Sequence, residues 1–247
     1  MNIAIVTGAS SGMGREFVRQ LGGYVSVDEI WAVARRASAL ETLKAETSVP
    51  VRPIVLDLLE ESSFTELEAL LESEKPNVRL LVNAAGFGKF GAYRKIPVED
   101  DCRMIDLNCK ALLLMTRLCV PYMQPGSHIL ELDSLSAFQP VPYITTYAAT
   151  KAFVLSYSRA MNRELKAQGI RVMAMNPGWV KTEFFNHAFQ TNADNEVRYF
   201  NRLYEAKDVM KTALHDLYRT KKDVSIHGLP VRWQVRLVKL LPHKLVM

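Results

Sequence analysis

Residues 1–14 read Met1-Asn2-Ile3-Ala4-Ile5-Val6-Thr7-Gly8-Ala9-Ser10-Ser11-Gly12-Met13-Gly14, and this stretch decides the fold. Asn2–Thr7 is apolar at odd and even positions alike, the pattern of a strand buried on both faces. It runs straight into glycines spaced Gly-x3-Gly-x-Gly, and a helical pattern starts near Arg15. Glycines permit the tight turn there and let backbone N–H groups approach a pyrophosphate at the positive end of the helix. A plain strand-to-helix turn can also need a glycine; the place directly after the first strand is what favours a dinucleotide loop.

Outward from this stretch, apolar runs at residues 30–34, 54–57, 78–83, 129–133, 172–176 and 224–227 alternate with helical periodicity, as at 64–71, 102–123 and 147–167. Such alternation predicts an α/β fold, a single doubly wound Rossmann-type domain with a parallel sheet of about seven strands flanked by helices. That domain covers residues 1–229, and a basic amphipathic tail, 230–247, follows it. No repeat or linker divides the chain. Ligands of such sheets sit beyond the carboxyl ends of the strands.

Composition narrows the function classes. With 49% hydrophobic and 23% charged residues, the 247-residue chain is neither disordered nor fibrous. The longest apolar runs fall far short of the ~20 residues that span a bilayer. No basic segment precedes the first strand, so no signal peptide is expected. Cys102, Cys109 and Cys119 have no metal-like spacing, His187 and His215 fit no ligand pattern, and a reduced, cytoplasmic setting without a metal site is expected. The net charge of +5 is uneven: residues 207–247 hold nine Lys or Arg against three Asp, and the rest is close to neutral. No basic patch with interleaved aromatics spans the body, which argues against nucleic acid.

The second strand ends Val33-Ala34-Arg35-Arg36, with no carboxylate between positions 32 and 40. A carboxylate there reads the ribose of NAD, whereas an arginine accommodates the 2′-phosphate of NADP; the expectation is NADP(H), with Arg35 as the clamp. Two arginines could also merely solubilise a loop, and Ser11 adds no basic group from the glycine loop. Asp57 could accept from the adenine amine or cap the following turn.

Tyr147 and Lys151 stand four apart at the start of a helix, on one face. Ser134 lies just past the fifth strand. Asn108 shares an apolar stripe with Met104, Ala111, Leu112 and Met115, so its amide is expected to be buried and hydrogen-bonded. Asn83-Ala84-Ala85-Gly86 ends the fourth strand and allows close backbone approach to a ligand.

Thr7-Gly8-x3-Gly12-x-Gly14, Asn83-x-Ala85-Gly86, Asn108, Ser134, Tyr147-x3-Lys151 and Pro177-Gly178-x3-Thr182 occur in the order and spacing of short-chain dehydrogenases/reductases, and the chain resembles that family over residues 3–228. The resemblance implies an oxidoreductase interconverting a carbonyl and an alcohol. Tyr147 would be the general acid or base, Lys151 would bind the nicotinamide ribose and lower the tyrosine's pKa, Ser134 would hold the substrate oxygen, and Asn108 would hold a water behind Lys151. Cofactor contacts would come from Gly8, Ser10, Ser11, Gly12, Met13 and Gly14, from Asn83, Ala84 and Gly86, and from Pro177, Gly178, Val180 and Thr182, besides Arg35 and Asp57. Bringing a tyrosine from about 10 to near 7 takes about 4 kcal/mol, which an ammonium about 4 Å away supplies at an effective dielectric near 20. The family also suggests a homodimer through the helices at 102–123 and 147–167. Asp133 stands where the family often has serine, and the end of the chain lacks the Val-Asp-Gly-Gly turn of its acyl-carrier ketoreductases. The alternative is a non-catalytic NADP(H)-binding regulator, which would be expected to have lost Tyr147 or Lys151.

Residues 177–205 should form a substrate lid. With Trp179, Phe184, Phe185, Phe189, Tyr199, Phe200 and Tyr204 there, and Phe87, Phe90, Phe138 and Tyr143 near other strand ends, a bulky apolar small molecule (steroid, fatty or aromatic) is the expected substrate. In the tail, Pro230 should begin a helix and Pro242 end it. Arg232, Arg236 and Lys239 form a basic stripe; Trp233, Leu237, Leu240 and Leu241 form an apolar face that Val231, Val235 and Val238 widen. That face is expected to pack on the lid or on a dimer mate and to complete the pocket wall, with an anionic membrane surface as the alternative.

Overall fold

In a computed structural model of the chain, residues 1–188, 197 and 202–242 are described. The chain runs β1 (Asn2–Thr7), α1 (Gly12–Leu21), β2 (Glu29–Ala34), α2 (Ala37–Leu43), β3 (Val51–Val55), α3 (Glu61–Glu74), β4 (Asn77–Asn83), α4 (Val98–Ile105), α5 (Leu112–Cys119) and β5 (His128–Leu132). It continues through α6 (Thr145–Glu164), β6 (Arg171–Met175), β7 (Trp179–Lys181), α7 (Phe184–Ala188), β8 (Leu203–Glu205), α8 (Ala206–Arg219), β9 (Val224–Ser225) and α9 (Leu229–Leu240). Seven strands form one parallel sheet in the order β3-β2-β1-β4-β5-β6-β9, and β7 pairs with β8 in a small second sheet.

Two cores follow from side chains that alternate across each strand. Ala4, Val6, Ile30 and Ala32 face one layer, with Phe17 of α1 and Val209 and Leu214 of α8. Ile3, Ile5, Trp31 and Val33 face the other, with Leu67 and Leu71 of α3 and Met115 of α5. Each fully buried large aliphatic side chain contributes roughly 1.5–3 kcal/mol, which is why both faces of β1 must be apolar. Strand order reverses between β1 and β4, opening a cleft at their carboxyl ends.

Three elements differ from the sequence reading. β3 begins at Val51 rather than 54 and runs through Pro53, which a sheet tolerates because β3 is its edge. The helix expected at 102–123 is broken: a π turn, Asp106–Ala111, separates α4 from α5, and Asn108 lies within it. The expected lid is a β7–α7 segment returning through β8; Phe189, Tyr199, Phe200 and the tail beyond 242 lie outside the described residues.

Candidate active site

The glycine loop is locked to the neighbouring strand end before any ligand is considered. Thr7 Oγ1 accepts from the amides of Ala84 at 3.0 Å and Ala85 at 3.1 Å. Gly8 has φ +65°, and a Cβ there would stand 2.8 Å from the Ala84 carbonyl oxygen. Ser11 precedes α1 in extended conformation and makes no side-chain cap, so the first-turn N–H groups remain for an anion. Gly8, Ser10, Ser11, Gly12, Met13 and Gly14 all line one cavity of about 1320 Å³. Such a volume exceeds the ~300–1,000 Å³ of ordinary ligand sites and suits a dinucleotide with a second molecule.

The two arginines are held differently. Arg35 and Asp57, assigned separately to phosphate and adenine, face each other at 3.7 Å, with Arg35 64% exposed. Arg36 is the side chain that reaches back to the loop, 3.4 Å from Ser10 Oγ and 3.1 Å from Glu183 Oε2. Arg35, Arg36 and Asp57 all line the cavity. Adjacent residues leaving a strand point to opposite sides, so spacing alone could not choose between the two arginines.

At the floor, β5 ends beneath the start of α6. Tyr147 and Lys151 project from the buried face of α6, 9% and 6% exposed. Lys151 Nζ donates to the Leu132 carbonyl at 2.7 Å. Ser134 Oγ accepts from the Ser136 amide at 3.2 Å and is in hydrogen-bond contact with Tyr147. Phe90 and Phe184 flank the Tyr147 ring, with centroids 5.7 and 5.6 Å away. Asn108 and Asn83 do not line the cavity. Asn108 Oδ1 accepts from the Phe87 amide at 3.1 Å, and its Nδ2 donates to the Phe87 carbonyl at 2.9 Å and to Thr150 Oγ1 at 3.1 Å. It thereby ties the loop after β4 to α6, and the π turn is what aims it there. Asn83 Nδ2 donates to Thr116 Oγ1 at 3.1 Å and so braces β4 against α5. Ala84 and Gly86 do line the cavity.

The expected lowering of the tyrosine is not what this geometry produces. Lys151 Nζ lies 5.7 Å from the Tyr147 ring centroid and donates to the Leu132 carbonyl. Burial pushes the Tyr147 hydroxyl well above its ordinary value, the Ser134 bond opposes this, and Asp133 adds to it. Burial also lowers Lys151, against the pull of Asp133.

Two buried carboxylates, Glu131 and Asp133, lie under the site and had no role in the sequence reading beyond the unusual Asp133. Glu131 is fully buried, its Oε1 accepts from Thr116 Oγ1 at 3.2 Å, and desolvation raises it to about 7. Asp133 is raised by burial to about 8 and accepts from Asn176 Nδ2, which also donates to the Ser134 carbonyl at 2.9 Å. The signal was present in the sequence: two acidic residues in an otherwise apolar strand.

The upper walls come from three places. Pro177, Gly178, Val180 and Thr182 follow β6, and the Pro177 carbonyl accepts from the Leu135 amide at 3.0 Å. Phe87, Phe90, Phe138, Trp179, Phe184 and Phe185 supply aromatic surface. Helix α9 closes the side: Val231, Val235 and Val238 are buried, and the more exposed Trp233 and Leu237 also line the cavity. Tyr143 is 46% exposed, and Tyr204 packs edge-on to His227 at 4.9 Å. His215 stands 3.7 Å from Asp216, and no group of three metal-ligating side chains occurs among the described residues. No helix among them is long and apolar enough to cross a membrane.

Known proteins share this architecture. The short chain dehydrogenase family matches residues 2–193. The NADP-dependent 3-hydroxy acid dehydrogenase YdfG of Escherichia coli (strain K12) is 36% identical over 197 residues, 76% of this chain and 77% of that protein. A short-chain dehydrogenase from Sphingobium yanoikuyae in complex with NADPH superposes with a TM-score of 0.81 at 27% identity, covering 96% of this chain and 92% of that one. The bulky-bulky ketone specific alcohol dehydrogenase from Comamonas testosteroni gives 0.75 at 25% identity, covering 97% and 92%. This chain belongs to the short-chain dehydrogenase family, nicotinamide-dependent oxidoreductases acting on CH–OH groups.

Proposed function

We propose that the chain reduces the carbonyl of a bulky apolar small molecule in the cytoplasm, with NADPH as hydride donor and Tyr147 as the acid. The observation that carries this is the meeting of Tyr147, Lys151 and Ser134 on the floor of a cavity whose upper walls are aromatic. The open first turn of α1 and the glycine cradle fit a pyrophosphate, and Arg36 beside Ser10 fits a 2′-phosphate. When bound, the nicotinamide supplies the hydride. Ser134 orients the substrate oxygen, and Tyr147 delivers the proton that neutralises it. A hydroxyl raised by burial is fully protonated at neutral pH, the state reduction needs; oxidation would need the opposite state. Lys151, anchored on Leu132 O, is placed to hold the ribose and to stabilise the phenolate left by proton transfer. Asn108 positions α6 against the Phe87 loop.

An intact Tyr147–Lys151 pair speaks against a purely regulatory nucleotide-binding role. Exposed Ile105 on α4 and Phe153 on α6 suit a homodimer through those helices. A second substrate reading, a hydroxy acid as in the Escherichia coli relative, is favoured by Arg103 and Arg202 at the cavity, Lys89 being held 3.8 Å from Asp100. Aromatic ketones and 3-oxo acids compared by NADPH absorbance separate the two. Tyr147→Phe should cut kcat by about 10²–10⁴ while NADPH affinity stays within a few fold; more than about a hundredth of the activity remaining refutes the acid role.

A further inference from the structure

Helix α9 has more apolar surface than the fold covers. Val231, Val235 and Val238 form its buried face. The sequence predicts one broad apolar face, Trp233, Leu237, Leu240 and Leu241 widened by the valines; the valines are its buried part, and the larger side chains stay exposed. Leu229 is 69% exposed, Trp233 60%, Leu237 55% and Leu240 81%. At about 100° per residue these four occupy a single stripe along the helix.

The two borders of that stripe differ. On one side stand Arg232, Arg236 and Lys239. Arg232 is fixed by a bond to the Ile226 carbonyl at 2.9 Å, Arg236 lies over the Trp233 ring at 5.2 Å, and Lys239 lies over Phe138 at 4.9 Å. On the other side the stripe runs into the cavity, because Trp233, Leu237 and Leu241 also line it. No acidic residue occurs anywhere in α9.

We propose that this stripe is a docking surface for an anionic lipid bilayer, which seats the cavity mouth at the membrane interface. Charge selects the occupant. A second copy meeting this face around a two-fold axis would bring the same basic border against itself, since such interfaces place one patch on both subunits. An anionic headgroup layer is complementary to it, and a ridge of Trp and Leu beside Arg and Lys is the composition of helices that lie in the interface plane. A helix of 12 residues gives reversible contact, not anchoring. The surface rests on α9 alone and is read without turnover, so it stands or falls apart from the substrate assignment.

The test uses the full chain with vesicles of phosphatidylcholine, alone or with one third phosphatidylglycerol, in low and high salt. Binding to the mixed vesicles only, reversed by salt, is expected. Brominated acyl chains should quench Trp233, and Trp233→Phe should remove most of that quenching, because Trp31 is fully buried and Trp179 packs against Phe90 and Phe185. With about 1 kcal/mol per cation near an anionic surface, Arg236→Gln and Lys239→Gln should weaken binding about fivefold each. Arg236→Gln with Leu240→Ser should abolish it while leaving the melting curve and turnover of a water-soluble ketone unchanged. No binding, or equal binding to both vesicle types, overturns the proposal. So does a fall in mass by light scattering for the Arg236→Gln, Leu240→Ser variant, which would show that a second copy covers the stripe.

Discussion

Replacing Glu131 with glutamine isolates the cost of a carboxylate buried under the active site. In the folded chain desolvation lifts this group from its ordinary 4.5 to about 7, against smaller lowering effects from Asn83, Thr116 and Lys151. Below pH 4.5 the carboxyl is protonated whether the chain is folded or not, and its full favourable contribution is present. As pH rises the unfolded chain releases the proton first, so the folded state binds more protons and stability falls until the folded group also ionises near 7. At about 1.4 kcal/mol per tenfold change in proton affinity, the loss is about 3 kcal/mol. Glutamine keeps an acceptor for Thr116 Oγ1 and has no charge to desolvate. Urea unfolding of both proteins from about pH 5 to about pH 9 should show the wild type losing about 3 kcal/mol more than the variant. Any constant offset caused by the extra amide protons cancels in that comparison. Parallel stability curves would refute a neutral buried Glu131.

Three further outcomes follow from the site. Arg36→Ala should weaken NADPH tenfold or more and NADH little, from the loss of about 1.5–3 kcal/mol of charge-assisted bonding, while Arg35→Ala does less; cofactor titration of both variants decides it. Asp133→Asn removes the carboxylate that raises Lys151, so the lysine loses its charge at lower pH and the alkaline limb of the kcat profile should move down. An unmoved limb would mean the two groups do not communicate. Trp233→Ala combined with Leu237→Ala should raise KM for a bulky ketone several-fold and leave a small ketone unaffected, because both side chains wall the cavity without belonging to the buried face of α9.

What could be read from sequence was whatever local spacing settles. Glycine positions after a first strand and a tyrosine one turn before a lysine are backbone-level constraints, and the structure places Gly8, Gly12, Tyr147 and Lys151 around one cavity accordingly. What could not be read depends on contacts across the fold. On α9 nothing local separates the valines, which are buried, from Trp233 and Leu237, which line the cavity but stay largely exposed. The helix approaches Gly178 and Leu135 so closely that a Cβ on Gly178 would lie 3.4 Å from Val231 Cγ2, and a compact valine fits where a longer side chain does not. The start of β3 at Val51 could not be read either, because nothing local says that β3 is an edge, where Pro53 is tolerated.

Glu131 and Asp133 are a different kind of omission. Periodicity counts average them away, since two charges barely change the hydropathy of the strand around them. Energetically the weighting is reversed: desolvating one carboxylate outweighs what a flanking Ile129 or Leu130 gains by burial, at roughly 1.5–3 kcal/mol each. A chain that keeps Glu131 within β5 and Asp133 just past its end, both near Lys151, gains nothing in stability from them. Asp133 also bears on the charge of Lys151, which is why Asp133→Asn is expected to register in the pH profile.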